Sequence, residues 1–194
     1  MKVEDKIYYH VNSYKELNIG DVLVFDNNTH NQMYETVYNS SYKLNDMDAN
    51  ELLLTKKRNK DKDLSYEEFD LVLSTVNNDA YVMRELALES IRKEYYPEYP
   101  SRLNCLYLTD KLEDAIKWVD ILKRNKKNAV QILTLKVSGN IFEGDGSLMK
   151  RLNLSYNEHL ENAKMYWSNA TDNKDEILFT GTATVIDIKD IGKE

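Results

Sequence analysis

The sequence predicts a mixed α+β domain built on an antiparallel sheet. Three observations carry this. Dense β-branched and aromatic runs lie at both ends of the chain, at residues 7–11 and 177–185. A long stretch with helical spacing separates the first strands from the later ones. Strands and helices then follow one another without the regular βα pairing of a doubly wound sheet. At 194 residues the chain fits one domain, since a domain typically holds about 100–200 residues.

Ile7, Tyr8, Tyr9, His10 and Val11 make the first strand, because such side chains suit a half-buried pleated surface. Asn18, Ile19, Gly20 and Asp21 read as a turn. Val22, Leu23, Val24 and Phe25 make a second strand, and residues 26–30 a polar loop. Residues 55–63, all polar and mostly charged, read as a solvated loop. Ser65 with Glu68 has the spacing of a capping box. Behind it Phe69, Val72, Leu73 and Val76 recur at helical spacing. Met83, Ala87, Ser90, Ile91 and Tyr95 predict a helix over residues 79–95, ended by Pro97 and Pro100.

The second half alternates. Cys105, Leu106, Tyr107 and Leu108 read as a short buried strand. Asp110 and Glu113 cap a helix carrying Leu112, Ile116, Val119 and Leu122. Residues 129–137 form a strongly apolar strand, followed by an acidic turn at Phe142, Glu143, Gly144, Asp145 and Gly146. Ser155 with Glu158 makes another capping box, with Tyr156, Leu160, Ala163 and Trp167 on one helical face. Residues 176–188 are a long closing strand, with Gly181 marking a bulge or bend.

Composition narrows the function classes. A hydrophobic share of 42% against a charged share of 30% is a globular balance and argues against a disordered chain. The formal net charge of -7 disfavours broad nucleic-acid binding. No run approaches the roughly 18 apolar residues that span a bilayer, and residues 1–5 carry no apolar signal core. With one cysteine, an intramolecular disulfide is out, so a cytoplasmic protein is expected. His10, His30 and His159 show no metal-ligand spacing, and no metal is expected. There is no P-loop, no Gly-x-Gly-x-x-Gly fingerprint and no Gly-x-Ser-x-Gly elbow.

Three patterns offer chemistry, each beside a plainer reading. His10, two residues before Asn12, is a strand histidine whose neutral imidazole has one donor and one acceptor for a sugar edge. Tyr107 is a core residue or an aromatic ring that stacks on a planar heterocycle. Ser101 and Arg102 just before it suit a phosphate or ribose, or an ordinary surface. Glu176 opens an apolar strand, either as a charged terminus or as a carboxylate projecting into a cleft. Asp145, between two glycines, reads first as turn chemistry. Cys105 lies in an apolar run and reads as inert.

Taken in order, these segments resemble the ADP-ribosyltransferase superfamily, above all its small bacterial enzymes of the rifampin ADP-ribosyltransferase kind. Tyr9-His10 with Ile19-Gly20-Asp21 is similar to the opening strand of that family. Leu106-Tyr107-Leu108-Thr109-Asp110, then Ala115 and Trp118, is similar to its Tyr-Leu-Thr strand and following helix. Gly139 to Asp145, containing Phe142-Glu143-Gly144-Asp145, is similar to its Phe and acidic turn, and Asp175-Glu176-Ile177-Leu178-Phe179 to its Glu-bearing strand. Residues 31–95 fall outside the likeness and are expected as a helical insertion within a single domain of residues 1–194. Val11 stands where many relatives have Gly.

The resemblance implies a split antiparallel β core with flanking helices and NAD in the cleft. It implies NAD as the substrate, with His10, Asn12, Ser101, Arg102 and Tyr107 binding it and Glu176 or Asp145 acting at the reacting centre. The acceptor of ADP-ribose is open among drug, protein and nucleic acid. Two alternatives are a non-catalytic NAD- or nucleotide-binding module and an RNA 2'-phosphotransferase-like enzyme.

Overall fold

The structure is a computed structural model that describes residues 1–26, 28–124, 128–149 and 153–191. Residue 27 of the expected 26–30 loop lies outside the described residues. The elements are β1 (Lys2–Asn12), β2 (Val22–Phe25), α1 (Gln32–Asn39), α2 (Ala49–Arg58) and α3 (Tyr66–Tyr95). They continue with β3 (Leu106–Leu108), α4 (Leu112–Arg124), β4 (Gln131–Gly144), α5 (Tyr156–Trp167) and β5 (Glu176–Asp190). The chain is mixed α and β with an antiparallel sheet and flanking helices, as the sequence predicts.

The sheet runs β1–β4–β5–β2, with β3 paired to β5 off that path. β4 and β5 pair along their whole length, from Gln131 opposite Asp190 to Gly144 opposite Glu176. β2 and β3 share the other edge of β5, with β3 on residues 177–179 and β2 on residues 181–184. β1 lies on residues 131–140 of β4 and also reaches the end of β3. There Tyr9 and Thr109 exchange two backbone bonds of 2.8 and 2.9 Å. The two terminal runs that the sequence singles out thus sit in one sheet, separated only by β4.

A glycine pair lets two strands pack closely. Gly139 and Gly181 are direct cross-strand partners, and Gly181 has φ +139°. A Cβ on Gly139 would lie 2.1 Å from the Thr180 carbonyl oxygen, and one on Gly181 2.4 Å from that of Ser138. Only residues without a side chain let the strands approach this closely. The register of β4 on β5 runs unbroken through Gly181 and shifts only between Thr134 and Leu135, so the bulge expected at Gly181 is not there, and the glycine serves this close approach instead.

Alternation along β5 feeds two cores. Ile177 and Phe179 join Tyr8, Leu133, Leu135, Val137 and Val185 on one face. Leu178, pointing the other way, joins Phe142 under the helices, with Leu88, Ile91, Ala163, Tyr166 and Trp167.

Several expectations are corrected. Residues 55–58 of the expected charged loop are the last turn of α2, whose N-terminus is closed by a capping box of Asp48 and Glu51. The basic residues Lys56, Lys57 and Arg58 suit a helix C-terminus because they face its partial negative charge. The two helical stripes of the middle belong to one 30-residue helix, α3, capped by Ser65 and Glu68. In it Phe69, Leu73 and Val76 face solvent, contrary to the buried face their spacing suggests. α4 starts at Leu112, one residue beyond the position Asp110 would cap. Phe142, Glu143 and Gly144 belong to β4, so the acidic turn begins only at Asp145. The capping box of Ser155 and Glu158 is present as expected. Among the described residues, no helix is long and apolar enough to cross a membrane.

Candidate functional site

The buried side of α3 is where the charges gather. Glu85, Leu88, Glu89 and Arg92 follow at helical spacing, so two carboxylates fall on a face that packs inward. After α3 the chain folds back over this face. Arg92 holds the return by donating Nη1 to the carbonyls of Pro97 (3.2 Å) and Tyr99 (3.0 Å), while its Nε and Nη2 grip Glu89 at 2.9 and 2.8 Å. Ser101 then donates its hydroxyl to Glu89 at 2.9 Å. Arg102 donates Nε to Glu85 at 2.9 Å.

Arg102 is the centre. It is buried, and its Nη1 donates to the carboxylate of Glu176 and to the hydroxyl of Tyr166, the latter at 3.2 Å. Tyr166 in turn donates to the same Glu176 oxygen, Oε2, at 2.5 Å. The rings of Tyr107 and Tyr166 lie 5.6 and 5.4 Å from the guanidinium carbon, within cation–π range. Glu85, with a fully buried side chain, also accepts Nε and Nη2 of Arg84 at 2.9 and 2.6 Å. Asn31 ties α1 to this group. It caps α1 by accepting from the amides of Met33 and Tyr34, and donates to the carbonyls of Arg102 (2.8 Å) and Cys105 (2.9 Å).

The electrostatics follow from this packing. Burial opposes the charge of Glu85, but Arg102 and Arg84 outweigh it and hold its carboxyl below the usual range. Burial also opposes the charge of Arg102, yet Glu176 and Glu85 raise its pKa well above the ordinary value. Burial raises the phenols of Tyr107 and Tyr166 well above 10, so both are neutral hydrogen-bond donors. Burial likewise raises the Cys105 thiol, which agrees with the inert reading of that residue.

His10 stands on β1 with Nδ1 2.8 Å from the Tyr107 carbonyl. Burial lowers its pKa, partly offset by that carbonyl, so the ring is neutral at pH 7. A carbonyl only accepts, so Nδ1 carries the proton and Nε2 is left as an acceptor.

Of the residues singled out in the sequence, Ser101, Arg102, Tyr107 and Glu176 gather around the charged face of α3, while His10, paired with Leu133 on the other face of the sheet, reaches them only through the backbone carbonyl of Tyr107. Asn12 stands apart from it. Its amide donates to the Lys15 carbonyl (2.6 Å) and accepts from the Tyr14 amide (3.2 Å), shaping the chain after β1. Asp145 follows the residue opposite Glu176, but its carboxylate faces its own turn. It accepts from the Ser147 amide (2.9 Å) and the Asn173 side chain (2.7 Å). Burial would raise its pKa, but hydrogen bonds from Ser147, Asn173 and Thr171 prevail and lower it to about 2.

Glu85, Glu89, Arg84, Tyr166 and Asn31 escape the sequence reading. The signal for the two glutamates was their position beside Leu88 on a face continued by Ile91. A carboxylate there must find a cation, because a buried unpaired charge is prohibitive. Chemically, the group offers a carboxylate held by a guanidinium and a phenol, with an aromatic ring beside it.

A family model described as "Protein of unknown function (DUF2441)" matches residues 8–192. No curated protein matches the chain.

Proposed function

The chain belongs to the DUF2441 family, and we propose that it is an ADP-ribosyltransferase-like enzyme that cleaves the nicotinamide–ribose bond of NAD and passes ADP-ribose to an acceptor. One observation supports this above the rest. Tyr107 and Glu176, from two different strands, meet at Arg102, and His10 is bonded to the backbone carbonyl of Tyr107.

In this reading Glu176 is the working carboxylate. Breaking the nicotinamide–ribose bond builds positive charge on the sugar, as in glycoside hydrolysis. A preorganised carboxylate stabilises that charge by about 3–4 kcal/mol. Arg102 and Tyr166 both bind Oε2 and fix its plane, and we assign Oε1 to the sugar. Tyr107 supplies the ring against which nicotinamide stacks. Nε2 of His10 accepts a ribose hydroxyl. Ser101 and Arg102 act by positioning, since both are bound to glutamates of α3. Asp145 anchors a turn and Asn12 shapes a loop, so neither touches substrate. The acceptor is a drug, a protein or a nucleic acid, the last least favoured by the net charge of -7. The expected setting remains the cytoplasm.

The Arg102–Glu176 ion pair also favours a second reading, a non-catalytic NAD- or nucleotide-binding module in which that pair never opens. An RNA 2'-phosphotransferase is less favoured, because Arg84, Arg92 and Arg102 are each already bound to a carboxylate. Incubation with NAD and mass measurement of free nicotinamide separates enzyme from module. Release of nicotinamide supports the enzyme, while NAD binding without release supports the module.

A further inference from the structure

We propose that the N-terminal half of α3 pairs with the same helix of a second copy, giving a two-fold symmetric dimer. Tyr66, Phe69, Leu73, Val76, Ala80 and Met83 recur at alternating spacings of three and four. That spacing is the 3.5-residue period of a helix–helix seam, and it keeps them on one face. Five of them are solvent-exposed: Tyr66 78%, Phe69 53%, Leu73 44%, Val76 59% and Met83 39%.

The seam is the uncovered continuation of a contact the chain already makes. One step further along the same face, Ala87 and Ile91 are buried. Ile91 packs there with Ala163, Tyr166 and Trp167 of α5. α3 has 30 residues and α5 has 12, which at 1.5 Å per residue is about 45 against about 18 Å. α5 therefore runs out while the apolar stripe goes on. α2 does not cover it, because it packs on the opposite side through Leu71, with Ala49 and Leu52.

Area and charge point to a second copy. The exposed parts of the five side chains amount to roughly 500 Å², at the upper end of the largest patch on a typical monomer. A standard interface takes about 800 Å² from each partner, of which about 60% is apolar. The stripe alone supplies that apolar share. A 3.5-residue seam packs against another of its kind at a shallow crossing angle, and a two-fold axis lets one surface serve both sides. The acidic first turn, Glu67 and Glu68 with Asp70 beside it, sets the direction. Parallel helices would bring two such clusters together. Antiparallel helices keep them about 25 Å apart along the axis and oppose the two dipoles favourably.

Sedimentation velocity on the full chain from about 1 to 100 µM tests this. The expected result is a concentration-dependent monomer–dimer transition. Phe69→Asp and Val76→Asp should each raise the dimer dissociation constant at least tenfold, with unchanged circular dichroism, since both side chains are mostly outside the core. Tyr14→Ser, at an exposed tyrosine away from α3, should leave the dimer intact. A monomer across the whole range overturns the proposal, and so does a dimer indifferent to both α3 substitutions. Should one variant misfold, the other decides.

Discussion

Arg102 and Glu176 form an ion pair between residues 74 apart in sequence, and the ring of Tyr107 lies over the same guanidinium. The pair fastens the start of β5 to the segment that follows α3. Because Arg102 also bonds Glu85, the orientation of Glu176 depends on a carboxylate that lies in the helical layer. Structure and proposed chemistry are linked at this one residue.

Glu85→Gln should destabilise the fold by about 3–5 kcal/mol, the usual cost of breaking a buried pair from one side. The substitution keeps the volume but takes the carboxylate charge from Arg84 and leaves Arg102 with Glu176 alone. Urea unfolding measures it. A change below about 1 kcal/mol would contradict the central position given to this network.

Gly139→Ala and Gly181→Ala should each be far more damaging than Gly20→Ala. At the first two sites the new Cβ meets backbone oxygen at 2.1 and 2.4 Å. Gly20 has φ +94° but no neighbour within 4 Å, so only the backbone strain of about 1–2 kcal/mol applies there. Thermal midpoints of the three variants give the order. Equal losses would mean that the sheet relaxes at the Gly139–Gly181 pair.

Much of the fold was legible because its signals are local. Alternation marked β1 and β5, and the Ser65–Glu68 and Ser155–Glu158 boxes marked two helix starts. The single helix through residues 66–95 was harder to read, since its stripe is covered only from Ala87 onward. Lys56, Lys57 and Arg58 read as loop because charge alone does not separate a solvated helix end from a coil. At the candidate site, His10, Tyr107 and Glu176 were singled out by local pattern and then by a resemblance. Glu85 and Tyr166 were not, because their importance arises from what Arg102 does in three dimensions. Asn12 and Asp145 carried the right chemistry, but their partners are the loops beside them.

Stability should fall on mild acidification, in stages. His10 in the folded chain has its pKa below the ordinary 6.5, so the unfolded state binds the proton first. Its contribution is complete above about 6.5 and is lost as the pH drops through that value toward the folded pKa. Glu85 adds a second loss below its ordinary 4.5. Asp145 adds a third between 3.8 and about 2. Unfolding free energies at pH 7.5 and 5.5 for wild type and His10→Asn isolate the first stage, which the variant should lack. A wild-type slope of zero or of opposite sign would refute the half-buried neutral imidazole.

Asn31→Ala should cost about 2 kcal/mol, combining a lost helix cap with two lost carbonyl contacts. It should also lower turnover more than this loss of stability accounts for, because it loosens the backbone that presents Arg102. Chemical unfolding together with turnover at a temperature where the variant stays folded checks both parts. Unchanged turnover would place α1 outside the working site.

The most direct measurement is nicotinamide release from NAD by wild type, Glu176→Gln and Asp145→Asn, each at a concentration of NAD that saturates binding. Gln keeps the size and the hydrogen bond to Arg102 but removes the charge. A group that acts on a developing cation should affect turnover more than ground-state affinity. The account predicts release by wild type, a fall of at least a hundredfold in Glu176→Gln with NAD affinity largely kept, and near-normal release by Asp145→Asn once it is shown to be folded. Release that survives in Glu176→Gln, or a wild type that binds NAD and frees no nicotinamide with any acceptor or water, would contradict it.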